Sequence, residues 1–223
     1  MNLTRRIVLG QALLLLAWPA VAPAQLTFTT NNGALAVAGF IGNPKTLDVP
    51  AATNGYPVTT IAPGAFANCS SLTTVTFAGS ITNLGNGTFI NCNRLTGVYC
   101  YGDAPGLGGA DVFFNALNAI IYYLPGTSGW GSRLSGQPAV LWNPGAQTGN
   151  VGFGVQSNQF GFNIIGNSNL VVVVEACTNL TAPVWSSLAT NRLTNFTGGN
   201  GVSFFSDPQW TNYSDRFYRF SFP

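Results

Sequence analysis

Four cysteines, six acidic residues and no histidine limit the chemistry open to this chain. Without histidine, Ser-His-Asp and Cys-His relays lose their base, and most zinc sites lose their usual ligands. The carboxylates Asp48, Asp103, Asp111, Glu175, Asp207 and Asp215 are scattered singly. Glycoside hydrolysis needs two carboxyl groups flanking one bond. Asp207 and Asp215 come closest to that pattern, yet both fall where turns are expected and where Asp commonly bonds local backbone. The 27 glycines are spread through turns, with no phosphate loop or dinucleotide fingerprint. The residues therefore offer no catalytic, cofactor-binding or metal site, and no cofactor is expected.

The cysteines deserve separate weighing, because Cys69 and Cys92 stand 23 residues apart in matching contexts. Equivalent positions on stacked strands lie about 4.8 Å apart, inside the reach of a disulfide. Stacked side chains run parallel, however, and a buried thiol behaves as a small hydrophobe. A ladder of core thiols is the favoured reading, with a Cys69–Cys92 or Cys92–Cys100 bridge as the alternative. Four cysteines, with Cys177 the last, are too few for a disulfide-built fold. Among the aromatics, Tyr99, Tyr101 and Tyr122 are candidate ligand contacts, since sugar faces stack on exposed rings. Tyr123 and Trp130 are expected to pack the end of the repeat array instead.

The cysteine spacing belongs to a longer repetition. Gly64–Phe77 reads GAFANCSSLTTVTF and Gly87–Cys100 reads GTFINCNRLTGVYC. With Ile61 set on Leu84, Phe66 falls on Phe89, Asn68 on Asn91, Leu72 on Leu95 and Val75 on Val98. Val98 lies a further 23 before Ile121. A period of about 20–29 residues with one short strand per turn marks a leucine-rich-repeat solenoid. Val75 and Phe77, two apart, share one strand face. Phe66, Cys69 and Leu72, three apart, fit a short helical turn.

The pattern I-x-x-G-A-F-x-x-C-x-x-L-x-x-V resembles the BspA-type leucine-rich repeat of bacterial surface and secreted proteins. Gly33–Phe66 looks like the segment that opens such arrays, and Ile120–Trp142 like the one that closes them. The resemblance, over about residues 33–142, implies a binding scaffold without naming its ligand. Only two clean copies stand out, which would restrict any extended binding face. Degenerate turns flank them, with Trp130 and Trp142 expected to cap the C-terminal end.

Beyond the Pro/Gly/Asn-rich stretch 143–150, read as a linker, the period disappears. Phe160, Phe162 and Ile164 alternate with polar or small residues, and 170–174 is an unbroken apolar run. Further strands are expected over 184–191, 202–205 and 216–222. In the last, Phe217 and Arg219 take one face while Arg216, Tyr218, Phe220 and Phe222 take the other. This points to a small antiparallel β-sandwich over 151–223. The segment also resembles a C-terminal module common in exported bacterial proteins, through Val174–Leu180, Trp185, Thr190-Asn191, Phe205–Pro208 and Arg216–Arg219. Cys177 stands where that module usually has Ser. The resemblance implies a structural or surface-association role.

At the other end, Arg5 and Arg6 precede an apolar run and then Ala22-Pro23-Ala24, the order of a secretory signal peptide over residues 1–24. Prolines 19 and 23 shorten the run below the length of a membrane span. Removing 1–24 takes two of the eight basic residues and none of the six acidic ones, leaving six of each. A chain of zero net charge has no footprint for nucleic acid or acidic membranes. Only 6% of residues are charged while 46% are hydrophobic, so the chain folds but clothes its surface in Asn, Thr, Ser and Gly. N-x-[ST] triplets begin at Asn68, Asn86, Asn179, Asn195 and Asn212, as frequent as such a composition makes them.

The sequence thus predicts a mainly β protein: signal peptide 1–24, repeat solenoid 25–142, linker 143–150 and β module 151–223. It is read as exported, secreted or at the cell surface, non-enzymatic, and a partner of proteins or glycans. A carbohydrate-binding accessory module is the alternative, and an atypical hydrolase using Asp207 or Asp215 a remoter one.

Overall fold

The computed structural model describes residues 25–149, 151–195 and 200–223, so the expected signal peptide lies outside the described residues. Within the repeats, a phenylalanine from each turn stacks on the next along the solenoid axis. Phe40, Phe66, Phe89 and Phe113 follow one another with ring centroids 6.1, 5.5 and 5.1 Å apart. Each is useless alone, since a single rung cannot close its own core; stacking removes the rings from water.

Two ladders of short strands flank this axis. An opening hairpin pairs β1 (Gln25–Asn31) with β2 (Ala34–Ile41) in antiparallel fashion. The chain then places β3 (Thr46–Val49) on the front. A small corner joins β4 (Ala52–Thr53) to β5 (Tyr56–Ile61). From there each turn alternates rear and front: β6 (Thr74–Phe77), β7 (Asn83–Leu84), β8 (Gly97–Cys100), β9 (Gly106–Leu107) and β10 (Ile120–Tyr123). The hairpin of β11 (Arg133–Leu134) and β12 (Gln137–Leu141) ends the array. The rear sheet runs β1-β2-β5-β7-β9 and the front sheet β11-β12-β10-β8-β6-β3.

Valine, leucine and isoleucine at alternate front positions enter the core. Leu47, Val75, Val98 and Ile121 stand in register there, and all are buried. Asn68, Asn91 and Asn115 each sit near φ +60°, a left-handed turn that Asn tolerates well. Their amides also bond in series, Asn91 Nδ2 donating to Asn68 Oδ1 at 2.8 Å and Asn115 Nδ2 to Asn91 Oδ1 at 2.9 Å. One glycine is required by the stacking itself. A Cβ on Gly85 would lie 2.3 Å from the nitrogen of Pro63 on the preceding turn.

The array therefore has a third full copy that the fixed period concealed. Phe113, Asn115 and Ala116 follow Phe89, Asn91 and Cys92 by 24 rather than 23, and the register returns to 23 at Ile121. One residue is inserted before Phe113 and one lost after Ala119, whose methyl replaces the larger Leu95. At the end of the array, Tyr123 and Trp130 stack at 4.8 Å as the cap. Trp142 does something else: its Nε1 donates to Val171 O and its ring joins the second core.

That second core is built by the C-terminal module. Its larger sheet contains β13 (Gly145–Gln147), β14 (Gly154–Gln156), β15 (Gln159–Asn167), β18 (Thr194–Asn195) and β19 (Asn200–Asp207). The smaller is β17-β16-β20, from Ser186–Arg192, Val171–Cys177 and Phe217–Ser221. All these pairings are antiparallel. β13 lies inside the stretch read as a linker and pairs with β15. Phe162, Ile164, Val172, Val174 and Phe205 fill the space between the two sheets.

Candidate binding face on the front sheet

The outward positions of the front sheet form a row across the rungs. Registers set Asp48 beside Thr76, Thr76 beside Tyr99, Tyr99 beside Tyr122, and Tyr122 beside Val140. Strand alternation turns all five away from the solenoid core. The C-terminal module then covers one half of the row and leaves the other open.

Tyr99 and Tyr122 lie in the covered half, only 4% and 7% exposed. Their rings stack at 5.1 Å, and Phe222 closes on Tyr99 at 4.9 Å, Tyr101 at 4.9 Å and Trp142 at 4.5 Å. Burial pushes both phenols up, the Tyr99–Tyr122 proximity adds to this for Tyr99, and the nearby Arg192 opposes it. Of the three sequence-nominated tyrosines, Tyr101 alone reaches solvent substantially, at 46%. Its hydroxyl is also raised, first by burial and then by Asp48 and Glu175, with Arg219 pulling the other way. Tyr101 therefore stands where the solenoid and the module meet. The sequence could not separate these three rings, because only the docked module distinguishes them.

Past that seam the front sheet is uncovered. Thr46 and Asp48 on β3 are exposed, and Thr74 and Thr76 on β6 are half-buried. Near Tyr101, the module presents Glu175 and Arg219, paired at 2.6 Å, with the Arg219 guanidinium 4.4 Å over the Trp185 ring. The open face is thus a hydroxyl-bearing floor with one free carboxylate, bordered by an aromatic and an ion pair. Such a surface offers hydroxyls and a carboxylate for hydrogen bonding.

The residues weighed for other chemistry are engaged elsewhere. Asp207, 3% exposed, accepts from Arg216 Nε at 2.6 Å, from the Tyr218 hydroxyl at 3.1 Å and from the Gln209 backbone at 2.9 Å. It ends β19 as a buried anchor rather than occupying an exposed turn. Asp215 is exposed and bonds the Ser214 hydroxyl at 3.2 Å. The four cysteines are buried and unbridged. Cys92 donates to Phe66 O at 3.0 Å, and burial pushes its thiol up to about 11 and that of Cys100 to about 12. Thiols held so far above neutrality are core groups, not nucleophiles.

A sequence model of the BspA type leucine-rich repeat region, six copies long, matches residues 48–106. Residues 48–106 of the solenoid are BspA-type leucine-rich repeats. Partial likenesses to solved structures accompany that match. A leucine-rich cell surface protein from Faecalibacterium prausnitzii shares 26% identity at a TM-score of 0.38, over 42% of this chain and 27% of that one. A leucine-rich repeat protein from Bacteroides ovatus shares 19% at 0.39, over 53% and 32%. The T. pallidum leucine-rich repeat protein shares 16% at 0.36, over 44% and 50%. In each case the matched part is half or less of the other chain. No curated protein matches this sequence. The matched turns carry Phe66, Phe89, Asn68, Asn91, Cys69 and Cys92 of the ladders, while the β module lies beyond them. Among the described residues, no helix is long and apolar enough to cross a membrane.

Proposed function

We propose that this is an exported, non-catalytic recognition protein that binds an extracellular protein through the open half of its front sheet. The observation that carries this reading is the division of one strand row. Tyr99 and Tyr122 are sealed under the module, whereas Thr76 and Asp48 in the same row stay accessible. The sealed pair acts as a support that fixes the module as a wall. Thr46, Asp48, Thr74, Thr76 and Tyr101 are the contact residues, and Arg219 with Trp185 form the rim. Central contacts of this kind dominate affinity, while rim charges steer the approach. The repeat type supports an adhesion role at the cell surface.

The test is site-specific photo-crosslinking on the surface of producing cells and on extracellular matrix proteins. A crosslinker at position 46 or 74 should trap a discrete protein, and one at the exposed Leu117 on another side of the solenoid should not. Asp48→Arg should weaken that capture about tenfold, the usual consequence of losing one well-placed charged contact. Equal capture from positions 46 and 117, or none from either, would refute the proposal.

A further inference from the structure

The outer face of the module's larger sheet carries a trough of about 580 Å³, separate from the front sheet of the solenoid. Strand alternation builds it. In β15, Phe162 and Ile164 point into the core, so Asn163, Ile165 and Asn167 stand on the opposite face. Registers set Gln147 beside Asn163 and Gly145 beside Ile165 along one flank. Along the other, Phe204 stands beside Asn163 and Val202 beside Ile165. Gly145 contributes no side chain, which opens the middle of the first flank. A Cβ there would meet only Ile165, at 3.8 Å.

The lining specifies a kind of ligand. Among the described residues no ionisable side chain borders the trough, so neither an anion nor a cation would be compensated there. The polar groups are amides, which both donate and accept. Asn163 Nδ2 donates to Gln147 Oε1 at 3.4 Å and Asn167 Nδ2 to Leu141 O at 2.8 Å. These bonds leave the Oδ1 atoms of Asn163 and Asn167 as acceptors for hydroxyl groups. Ile165, exposed beside them, and Val202 supply an apolar floor. The backbone of β15 is paired on both sides, with β13 and β14 on one and β19 on the other, so no peptide strand can add to it. An uncharged chain rich in hydroxyls, with apolar C–H faces, matches this surface in both charge and hydrogen bonding.

We propose that the trough is a binding site for a neutral polysaccharide, with pyranose faces laid on Ile165 and Val202 and hydroxyls bonded to Asn163 and Asn167. A cavity of this size falls within the range of small-ligand sites and accommodates a few sugar rings. The site is independent of the protein-binding face, so each proposal stands or falls alone.

The experiment applies the full mature chain to an array of neutral polysaccharides (xylan, β-1,3-glucan, mannan, cellulose and starch) beside acidic ones, followed by calorimetry on the strongest. At least one neutral polysaccharide should bind, and high salt should leave that binding unchanged. Gly145→Tyr, which fills the trough from a position with room for a side chain, should weaken it at least about tenfold without lowering the melting temperature. Asp48→Arg should leave it intact. If Gly145→Tyr folds poorly, Asn163→Ala with Ile165→Ser reads the same site. A silent array, binding confined to acidic glycans and lost in salt, or full binding by the trough variants would each overturn the proposal.

Discussion

Replacing Phe222 with Ala tests whether the module is held on the solenoid by the aromatic plug. Phe222 is 9% exposed and touches Tyr99, Tyr101 and Trp142 at centroid distances of 4.9, 4.9 and 4.5 Å. Truncating a buried Phe to Ala costs about 3–5 kcal/mol, through lost burial and the cavity left behind. Three aromatic partners place this site at the middle of that range or above, because each such pair adds about 0.5–1.5 kcal/mol beyond area. A loss of about 4 kcal/mol shifts the equilibrium for lifting the module by roughly 700-fold. Hydrogen exchange read by mass spectrometry separates this from global unfolding. Peptides spanning β8, β10 and β20 should lose protection together, while those of β5 and β7 keep theirs. Acrylamide should quench Trp142 more strongly in the variant. If β20 exchanges alone while β8 and β10 stay protected, Phe222 is a frayed end and the account of a sealed tyrosine row is wrong.

Three further outcomes follow from the same geometry. Asp207→Asn leaves the largely buried Arg216 without its counter-charge and should cost about 3 kcal/mol in urea unfolding, whereas Asp215→Asn on the surface should stay within about 0.5 kcal/mol. Gly85→Ala forces a methyl toward Pro63 and should destabilise by at least about 2 kcal/mol, detected as a lowered melting temperature. The thiols make stability fall in alkali: Cys92 and Cys100 rise from 9.0 to about 11 and about 12 in the fold, so the unfolded chain ionises first. Their contribution is complete below pH 9 and is lost as pH climbs through the folded values, and Cys92→Ala with Cys100→Ala should flatten that decline. Native-state alkylation near neutral pH should leave both unlabelled.

Much of the fold was legible because its signals are local. The Phe, Asn and Cys positions repeat at a spacing set by one turn of solenoid, and alternation in 160–164 and 216–222 marked real strands. The third copy escaped because an inserted residue before Phe113 broke the period while Ala116 and Ala119 erased the Cys and Leu that would have flagged it. Tyr99, Tyr101 and Tyr122 read alike in sequence. Their burial differs because the module, whose last strand comes more than 90 residues later in the chain, closes over Tyr99 and Tyr122 and leaves Tyr101, which Phe222 touches from one side, at the edge. The trough was equally hidden. It depends on Gly145 facing Ile165 across a register that no single strand announces.

Viewed across rungs, the sequence does mark where the module begins to cover the solenoid. One outward row runs Asp48, Thr76, Tyr99, Tyr122, Val140, and the neighbouring row runs Thr46, Thr74, Gly97, Ile120. Both change from polar to small or apolar at β8. On a bare solenoid the second half of those rows would be an exposed apolar patch, an aggregation liability. Under the module it becomes the second core, with Gly97 keeping that surface low next to the Tyr99 ring, which a Cβ would approach to 2.8 Å. The first half keeps the hydroxyls and the carboxylate that a covered surface would have no use for, since buried polar groups without partners cost free energy. A chain selected only for a stalk would gain nothing from holding Thr46, Asp48, Thr74 and Thr76 polar in strict register beside a fixed wall. The boundary at β8 therefore supports the proposal that the open half is a surface kept for a partner, its extent set by the module's docking.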